Sequence, residues 1–393
     1  MAFVDFQYGK KEVISGSDAA AIGAKLARVR VVPVYPITPQ TIVCERLAEF
    51  INNGKMDAKM IHVESEHSAC SAVIGSVSAG ARTYSATDSQ GLALMNEILF
   101  VVSGLRLPVV FGIANRALSA PINIWCDQQD SISARDSGWI QLYCENCQEI
   151  LDTTLMAYKI SEDEKVHLPI MVCFDGFVLS HVYEPVDIPS QEMADKFLPE
   201  FKIKNILDVN NPISIGTLGA PDSYMEFRKQ QDTAMKSALK VIPLVSKEFK
   251  LQFGRDYGNG LVETYWMNDA ETAVLALGST AATARDVIDK MRKAGKKVGL
   301  IKLKSLRPLP EKELCNICKN LKSIAVIDRD ISVGNEGAVF SEIKSALYNA
   351  GIKIKATNFI MGLGGRDIRP IDIEYAIENS GNGGVIWVNV NGK

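Results

Sequence analysis

The stretch KMIHVESEHSACSAVIGSVSAGARTYSATDSQGLALM, residues 59–95, decides the fold class of this chain. Short apolar runs alternate with longer helical ones: KMIHV leads into SEHSACSAVIGSVSAGA, and RTYSA leads through TDSQG into an apolar helical segment. This alternation is typical of βαβ units in a parallel sheet. It extends from Ser17 to about Phe177, so we predict an α/β fold built on a doubly wound parallel sheet.

The neighbouring segments fit the same architecture. Ser17 and Asp18 can cap the Ala-rich helix AAAIGAKLA, VVPVY forms a strand that ends at Pro36, and QTIVCERLAEFI has amphipathic spacing. PVVFGIA, residues 108–114, is a further buried strand. Ligands of open α/β sheets bind in the crevice at the carboxyl ends of the strands, so the loops after these strands are the candidate site.

The length of 393 residues and a lapse in the pattern predict two domains. Between residues 189 and 260 the alternation lapses, with NNPISIGTLGAPDS predicted as a loop and SYMEFRKQQDTAMKSALKVI as a polar helix. From Thr272 it returns, from TAVLALG to GVIWVNV, as a second doubly wound parallel sheet. We therefore predict a first domain over residues 1–257, with a linker region from about residue 189, and a second over residues 258–393.

Composition argues against several classes of protein. The formal net charge is −3 and Lys and Arg are spread along the chain, which disfavours nucleic acid and anionic membrane as partners. The N-terminus MAFVDFQYGKKEV has no basic region followed by an apolar stretch, and no run approaches ~18 apolar residues. Eight cysteines in a chain this long suit free thiols in a reducing compartment. We expect a soluble, cytoplasmic protein.

Three candidate site residues lie at predicted strand ends. The segment ESEH, residues 64–67, which contains Glu66, opens a helix, where a carboxylate meets the positive helix terminus, although first-turn acids are often only favourable dipole partners. Arg116 follows a strand and could bind a substrate carboxylate bidentately, or form a surface ion pair. Thr38 lies between Pro36 and Pro39 in a rigid loop, or in a simple tight turn.

Five motifs in order carry a resemblance: YPITPQT, ESEHSA, ARTYSATDSQGLALM, NRALSAPINIW and DGFVLSH. Together they resemble the α-subunit of the pyruvate:ferredoxin oxidoreductase family. LALGSTAATARDVID, GLIKLKSLRPLP, IDRDISVGNEGAVFSEI and GLGGRDI extend the resemblance over essentially the whole chain. It implies that the first domain resembles the pyrimidine-binding domain of thiamine-diphosphate enzymes. The second resembles the carboxyl-terminal domain of transketolase-like enzymes, which is mainly structural.

The resemblance also implies residue roles. Glu66 matches the glutamate that hydrogen-bonds a ring nitrogen of the cofactor's aminopyrimidine, and a carboxylic acid there favours the tautomer that takes the thiazolium proton. Thr38 and Arg116 match residues that contact the 2-oxoacid. Thr38, Ser89 and Gln90 are also expected to contact the cofactor, with Ser89 and Gln90 lining its cleft.

Asp88 departs from the resemblance, because the family more usually has Ser at that position, so the resemblance implies no direct role for Asp88. Threonine at position 38 weakly favours a neutral 2-oxoacid such as pyruvate. The predicted reaction is the reversible oxidative decarboxylation of pyruvate to acetyl-coenzyme A and CO₂ with reduction of ferredoxin.

Cofactors and partners follow from the same resemblance. The chain has no Gly-Asp-Gly followed by a distant Asn pair, the usual signature that holds Mg²⁺ and the diphosphate. Thiamine diphosphate is therefore expected to be shared with a β-type subunit, with Mg²⁺ and iron–sulfur clusters on partner subunits of β, γ and δ type and no metal on this chain. Alternatives are another 2-oxoacid (branched-chain, phenylglyoxylate or indolepyruvate), a non-catalytic scaffold subunit and a cluster-binding electron carrier.

The carrier alternative rests on two C-x₂-C pairs, Cys144/Cys147 and Cys315/Cys318. They lie in different predicted domains without further nearby cysteines. The second pair falls in the amphipathic segment PEKELCNICKNL. Both pairs are interpreted as structural thiols.

Three further signals are judged weak. GLGG at residues 362–365 resembles a dinucleotide loop but lacks the following acidic residue on a second strand. His67 is next to Glu66 but has no metal-ligand partner at helical spacing. Asn123, Trp125 and Gln128 could shape the pocket, and we expect them mainly to pack, against a partner chain for example.

Overall fold

The computed structural model describes residues 6–391 and has a mixed α/β architecture with parallel sheets. Strands and helices alternate through the first half as the sequence predicts. Its elements, in chain order, are β1 (Lys10–Ser15), α1 (Gly16–Leu26), β2 (Val31–Val34), α2 (Thr41–Asn52), β3 (Lys59–His62), α3 (Glu66–Ser78), β4 (Tyr84–Thr87), α4 (Ser89–Leu94), α5 (Asn96–Gly104), β5 (Val110–Asn115), α6 (Gln129–Ser133), β6 (Ile140–Tyr143), α7 (Cys147–Ser161), β7 (Ile170–Asp175), β8 (Tyr183–Ile188) and α8 (Gln191–Phe197).

A long helix leads into the second half, where the alternation resumes. The elements there are α9 (Tyr224–Phe253), β9 (Val262–Tyr265), β10 (Thr272–Ala276), α10 (Thr280–Lys293), β11 (Val298–Leu303), β12 (Ser305–Arg307), α11 (Glu311–Cys318), β13 (Ser323–Asp328), α12 (Ala338–Asn349), β14 (Lys355–Ile360), α13 (Pro370–Glu378) and β15 (Val385–Trp387), with a 3₁₀ turn at Leu363–Gly365.

The first sheet has the strand order β12-β6-β7-β5-β4, and a parallel bridge between Val31 and Thr83 places the parallel pair β2-β3 beside β4. All neighbours in the five-stranded sheet are parallel except β12, which runs antiparallel to β6. The carboxyl ends of β4 and β5 therefore meet at one edge, close to the loops that carry the candidate residues.

The second sheet has the order β15-β14-β13-β10-β11-β9. It is parallel apart from β9, which pairs antiparallel with β11. Both halves thus contain a parallel sheet with intervening helices, which confirms the predicted fold class. The predicted domain boundary at residues 257 and 258 stays a prediction, because β12 of the second half completes the sheet of the first.

The cap of α1 corrects one local prediction. Ser15, and not Ser17, is the N-cap: its side chain accepts a hydrogen bond from the Asp18 backbone N–H at 3.2 Å, and the Asp18 carboxylate accepts one from Ser15. Ser15 has extended backbone angles, whereas Ser17 is already helical. Asp18 does take part in capping, as the N3 residue of the box.

The region predicted as a linker contains α9, which is 30 residues long and extends past the predicted polar helix. One face of α9 packs on the first half, burying Ala234, Ala238, Ile242 and Phe249. Phe249 meets Phe197 edge to face, with ring centroids 5.3 Å apart. Much of this region is therefore part of the packed core.

No helix within residues 6–391 is both long enough and apolar enough to cross a membrane. The 30-residue helix α9 carries many charged residues along its length.

A buried cluster of charges joins the two halves. Lys302 on β11 contacts Glu149 of α7 at 2.9 Å and Glu145 at 2.7 Å, and Lys304 contacts Glu149 at 2.7 Å. Both lysines and Glu149 are almost completely buried. Burial by itself raises the pKa of Glu149, but the two ammonium groups outweigh it and lower the pKa to about 2. Glu149 is therefore ionised and held by two lysines from the second half.

We predict that Glu149→Gln destabilises the chain by roughly 3–5 kcal/mol, because it leaves the buried Lys304 without the carboxylate that it contacts and removes one of the carboxylates around Lys302. Urea unfolding at pH 7 measures this. Glu164→Gln, which breaks an exposed pair with Lys204, is the control and should change stability little.

The acid dependence of the same variant is a second readout. The folded-state pKa of Glu149 lies below its ordinary value of 4.5, so its stabilisation is complete above that value and is lost as the pH falls toward 2. The stability gap between wild type and Glu149→Gln should narrow over this range. A gap that stays constant between pH 5 and pH 3 would contradict the assignment.

Candidate functional site

Glu66 is the first residue of α3 and follows β3 through a short turn. Ser65 is the N-cap, with an extended backbone and a side chain that accepts a hydrogen bond from Ser68 N–H at 3.3 Å. The Glu66 side chain is 7% exposed. Within residues 6–391 its carboxylate forms no hydrogen bond or ion pair, so a nearly buried acid at a helix N-terminus stays free to bind a further group.

Gly91 makes the position of Glu66 possible. A Cβ atom at residue 91 would lie 2.7 Å from Glu66 Oε1 and 2.5 Å from Thr87 Oγ1, closer than real Cβ contacts. The side chains at the end of β4 and the start of α3 therefore fit together only with glycine at this position. Thr87 Oγ1 is itself buried and has no hydrogen-bond partner within the described chain.

The buried carboxylate of Asp130 joins two strand ends. Its oxygens accept hydrogen bonds from the backbone N–H groups of Ser89 at 2.9 Å and Arg116 at 3.0 Å, and from Asn115 Nδ2 at 2.7 Å. Burial is the main cause that raises the pKa of Asp130, and these donors oppose it. Asp130 thereby fixes the loop after β4 against the loop after β5.

Arg116 is buried and its guanidinium is held by backbone oxygens. Nη1 donates to the Thr38 carbonyl at 2.8 Å and Nε donates to the Asn123 carbonyl at 2.9 Å. In the part of the chain that is described, Nη2 has no hydrogen-bond partner. The Thr38 side chain is exposed. The structure thus brings Thr38 and Arg116 together, with a guanidinium edge and a hydroxyl left for a ligand.

Asp88 lies between these groups. It is fully buried, its Oδ2 accepts from the Gln40 backbone N–H at 3.3 Å, and its Oδ1 lies 3.7 Å from Arg116 Nη1 without a hydrogen bond. Burial first, and then the charge of Asp130, raise the pKa of Asp88 to about 9, against the opposing effect of Arg116. At neutral pH Asp88 is therefore protonated, and it leaves the charge of Arg116 uncompensated.

Ser89 and Gln90 lie at the start of α4. Ser89 is fully buried with φ of +45°, and its hydroxyl contacts the Ala117 carbonyl and Gln90 Oε1, both at 2.6 Å. A left-handed non-glycine residue costs about 1–2 kcal/mol and needs support from its surroundings. Within the described chain Ser89 supports the Arg116 loop, and its predicted contact with a cofactor stays a prediction, as does that of Gln90.

The loop after Arg116 packs against the second half of its own chain. Asn123 Nδ2 donates to the Gly364 carbonyl at 3.0 Å, and Gln128 N–H donates to the Arg329 carbonyl at 2.8 Å. Trp125 is half exposed. The sequence predicted that this loop packs. It did not predict the contact of Asn123 with Arg116 or the hydrogen bonds to Asp130, because neither has a local sequence pattern.

The other weak signals have ordinary surroundings. His67 is partly exposed, 3.7 Å from Glu97. Cys144, Cys147 and Cys318 are buried and Cys315 is partly buried. Among the residues that the structure describes, no three or more His, Cys, Asp or Glu side chains gather in a way that could hold a metal ion.

Two family descriptions match the chain. Residues 22–247 match "Pyruvate flavodoxin/ferredoxin oxidoreductase, thiamine diP-bdg", and residues 270–373 match "Pyruvate:ferredoxin oxidoreductase core domain II".

Curated relatives cover almost the whole chain. Pyruvate synthase subunit PorA of Methanocaldococcus jannaschii is 52% identical, with 96% of this chain and 98% of that protein covered. PorA of Pyrococcus abyssi is 51% identical, with 93% of each chain covered. Ketoisovalerate oxidoreductase subunit VorA of Pyrococcus horikoshii is 47% identical, with 94% and 93% covered.

Solved structures share the fold. A 2-oxoglutarate:ferredoxin oxidoreductase from Magnetococcus marinus superposes with a TM-score of 0.73 at 19% identity, covering 96% of this chain and 66% of that chain. A split-gene transketolase superposes with a TM-score of 0.54 at 9% identity, covering 93% and 97%. These two likenesses show the fold alone.

We predict that Asp88→Asn changes the pH dependence of stability. The folded-state pKa of about 9 lies above the ordinary value of 3.8, so wild type loses stability as the pH rises between them, by up to about 1.4 kcal/mol per pH unit. Asn cannot ionise and lacks this loss. The stability advantage of Asp88→Asn over wild type should therefore grow from pH 5 to pH 8, as measured by thermal unfolding.

Asp222→Asn, on the exposed surface, controls for the removal of one acidic side chain. A stability difference between Asp88→Asn and wild type that does not change with pH would contradict the protonation of Asp88.

Proposed function

The chain belongs to the pyruvate:ferredoxin oxidoreductase family, and from this membership we propose that it is the α-type subunit of a pyruvate synthase, active only in complex with its partner subunits. The proposed reaction converts pyruvate and coenzyme A to acetyl-coenzyme A and CO₂ with reduction of ferredoxin, and it is reversible. The single observation that carries the proposal is that Glu66, after β3, and Arg116, after β5, both follow the carboxyl ends of parallel strands and both have unengaged polar atoms.

The residues present fit the aminopyrimidine half of thiamine diphosphate. Glu66 is nearly buried without a partner in the described chain, Gly91 permits the position of its carboxylate, and the buried Thr87 hydroxyl lacks a partner too. Such groups stay buried at a cost unless a ligand satisfies them. Glu66 would hold the pyrimidine ring, with Gln90 and Ser89 as further proposed contacts.

Each residue of this chain has a proposed task. When bound, thiamine diphosphate supplies the carbon nucleophile for the 2-oxoacid carbonyl. Glu66 would hold a proton at a pyrimidine nitrogen. Arg116 would bind the substrate carboxylate through Nη2, with Thr38 beside it, and the protonated Asp88 would leave the Arg116 charge available.

Pyruvate is the first choice of substrate and a branched-chain 2-oxoacid is the second. The choice follows the names of the relatives, since PorA proteins reach 52% identity and a VorA protein reaches 47%. The exposed Thr38 side chain is uncharged, so it provides no second positive charge for the second carboxylate of a dicarboxylic 2-oxoacid.

The remaining cofactors are assigned to partner subunits. We propose that Mg²⁺, the diphosphate-binding residues and the iron–sulfur clusters belong to β-, γ- and δ-type subunits, that ferredoxin accepts the electrons, and that the complex is cytoplasmic. The PorA name of the relatives, which denotes one subunit of a larger oxidoreductase, supports this division.

The decisive experiment purifies the native complex and measures reduction of a viologen dye with a panel of 2-oxoacids, with and without coenzyme A. Fastest turnover with pyruvate, dependent on coenzyme A, supports the proposal. Preference for a branched-chain acid moves the assignment to the second candidate. Absence of all 2-oxoacid turnover overturns both, and iron bound to this chain alone would favour an electron carrier.

We predict that Glu66→Gln lowers the turnover of the complex at least about 100-fold, because the amide cannot exchange a proton with the pyrimidine. Glu64→Gln is the matched control: Glu64 lies two residues earlier and its side chain is exposed. It should keep near wild-type turnover. Assembly is followed by gel filtration, and wild-type activity in Glu66→Gln would instead indicate a scaffold subunit.

A further inference from the structure

The loop Gly362–Gly365, weak as a dinucleotide motif, contacts the segment that follows Arg116. Gly364 accepts from Asn123 Nδ2 at 3.0 Å and donates through its N–H to Asp127 Oδ2 at 3.1 Å, while Gly365 N–H donates to the Cys126 carbonyl at 2.6 Å. Three hydrogen bonds thus tie a loop of the second half to residues about 240 positions earlier in the chain.

Glycine is needed for this contact. Gly364 has φ of +58° and Gly365 has φ of +79°, in the left-handed region. A Cβ at Gly364 would lie 2.5 Å from Asn123 Nδ2, and one at Gly365 would lie 2.3 Å from the Cβ of Trp125. Both the backbone angles and the close approach exclude larger residues.

The contact continues to Arg116. The Asn123 side chain donates to Gly364 through Nδ2 and accepts from the Trp125 N–H through Oδ1 at 2.7 Å. The Asn123 backbone carbonyl accepts from Arg116 Nε. The Ala117 N–H donates to the Trp125 carbonyl at 3.0 Å, which closes the segment on itself. The exposed tip, residues 119–122, therefore lies between two anchored ends.

We propose that Asn123, fixed by Gly364, is a positioning residue that orients the Arg116 guanidinium toward the substrate carboxylate. The inference rests on the proposed function and deepens it. The second half of the chain, assigned by resemblance to a mainly structural role, then helps to set the affinity for the 2-oxoacid. A misplacement of about 1 Å can cost on the order of 100-fold in rate, so the orientation of the guanidinium has a measurable effect.

The test compares Asn123→Ala and Gly364→Ala in the assembled complex. Each should raise KM for the 2-oxoacid about tenfold, with kcat at saturation within about twofold of wild type, because ground-state and transition-state binding are weakened together. Apart from the backbone strain at residue 364, the double variant should be no worse than Asn123→Ala alone, since removal of the Asn123 side chain removes the collision.

Gly383→Ala is the matched control for Gly364→Ala. Gly383 has φ of +77° and nothing within 4 Å of its Cβ position, so it shares the backbone strain and lacks the Asn123 contact. It should leave KM unchanged. Unchanged KM in both Asn123→Ala and Gly364→Ala, or additive effects in the double variant, would overturn the proposal.

Amide hydrogen exchange separates this proposal from the proposed function. In the full-length chain, peptides covering residues 117–128 should exchange faster in Asn123→Ala and Gly364→Ala than in wild type and Gly383→Ala. Exchange in both variants at the wild-type rate would overturn the proposed anchoring of this segment, whatever the measured turnover of the complex. Faster exchange in a complex that turns over no 2-oxoacid would locate the failure in the proposed function instead.

Discussion

The arrangement of the two halves depends on the buried ion pairs that Glu149 forms with two lysines. A carboxylate this deeply buried is tolerable only with nearby positive charge, and both of its cations, Lys302 and Lys304, come from the other half. The geometry of this cluster therefore fixes where the second sheet lies relative to the first. The contact of Gly364 with Asn123 lies between the two halves whose arrangement this cluster supports.

Around the site, a second buried carboxylate has a comparable role at shorter range. Asp130 satisfies the backbone donors of Ser89 and Arg116, each at a strand end that would otherwise leave a buried N–H unpaired. The backbone carbonyls of Thr38 and Asn123 then orient the guanidinium. Asp88 next to it adds no negative charge while it is protonated.

Local pattern explains what the sequence could predict. Apolar runs and helix starts placed the segment ESEH, which contains Glu66, at the start of α3 and Arg116 one residue after β5, because strand and helix periodicity are short-range properties. The predicted N-cap of α1 was wrong by two residues, because the ends of helices are less well determined by local sequence than their interiors. The Asp130 hub and the Asn123–Gly364 contact could not be predicted, since they join residues distant in sequence whose proximity depends on the completed fold.

The pairing of β12 with β6 has a consequence for synthesis of the protein. On a ribosome, β6 emerges more than one hundred and fifty residues before Ser305–Arg307, as an open sheet edge, and Glu149 emerges before its lysines. Open edges are templates for wrong pairing, and contacts this distant along the chain form slowly. We therefore expect the first half to be exposed to aggregation during synthesis until the second half supplies its strand and its two positive charges.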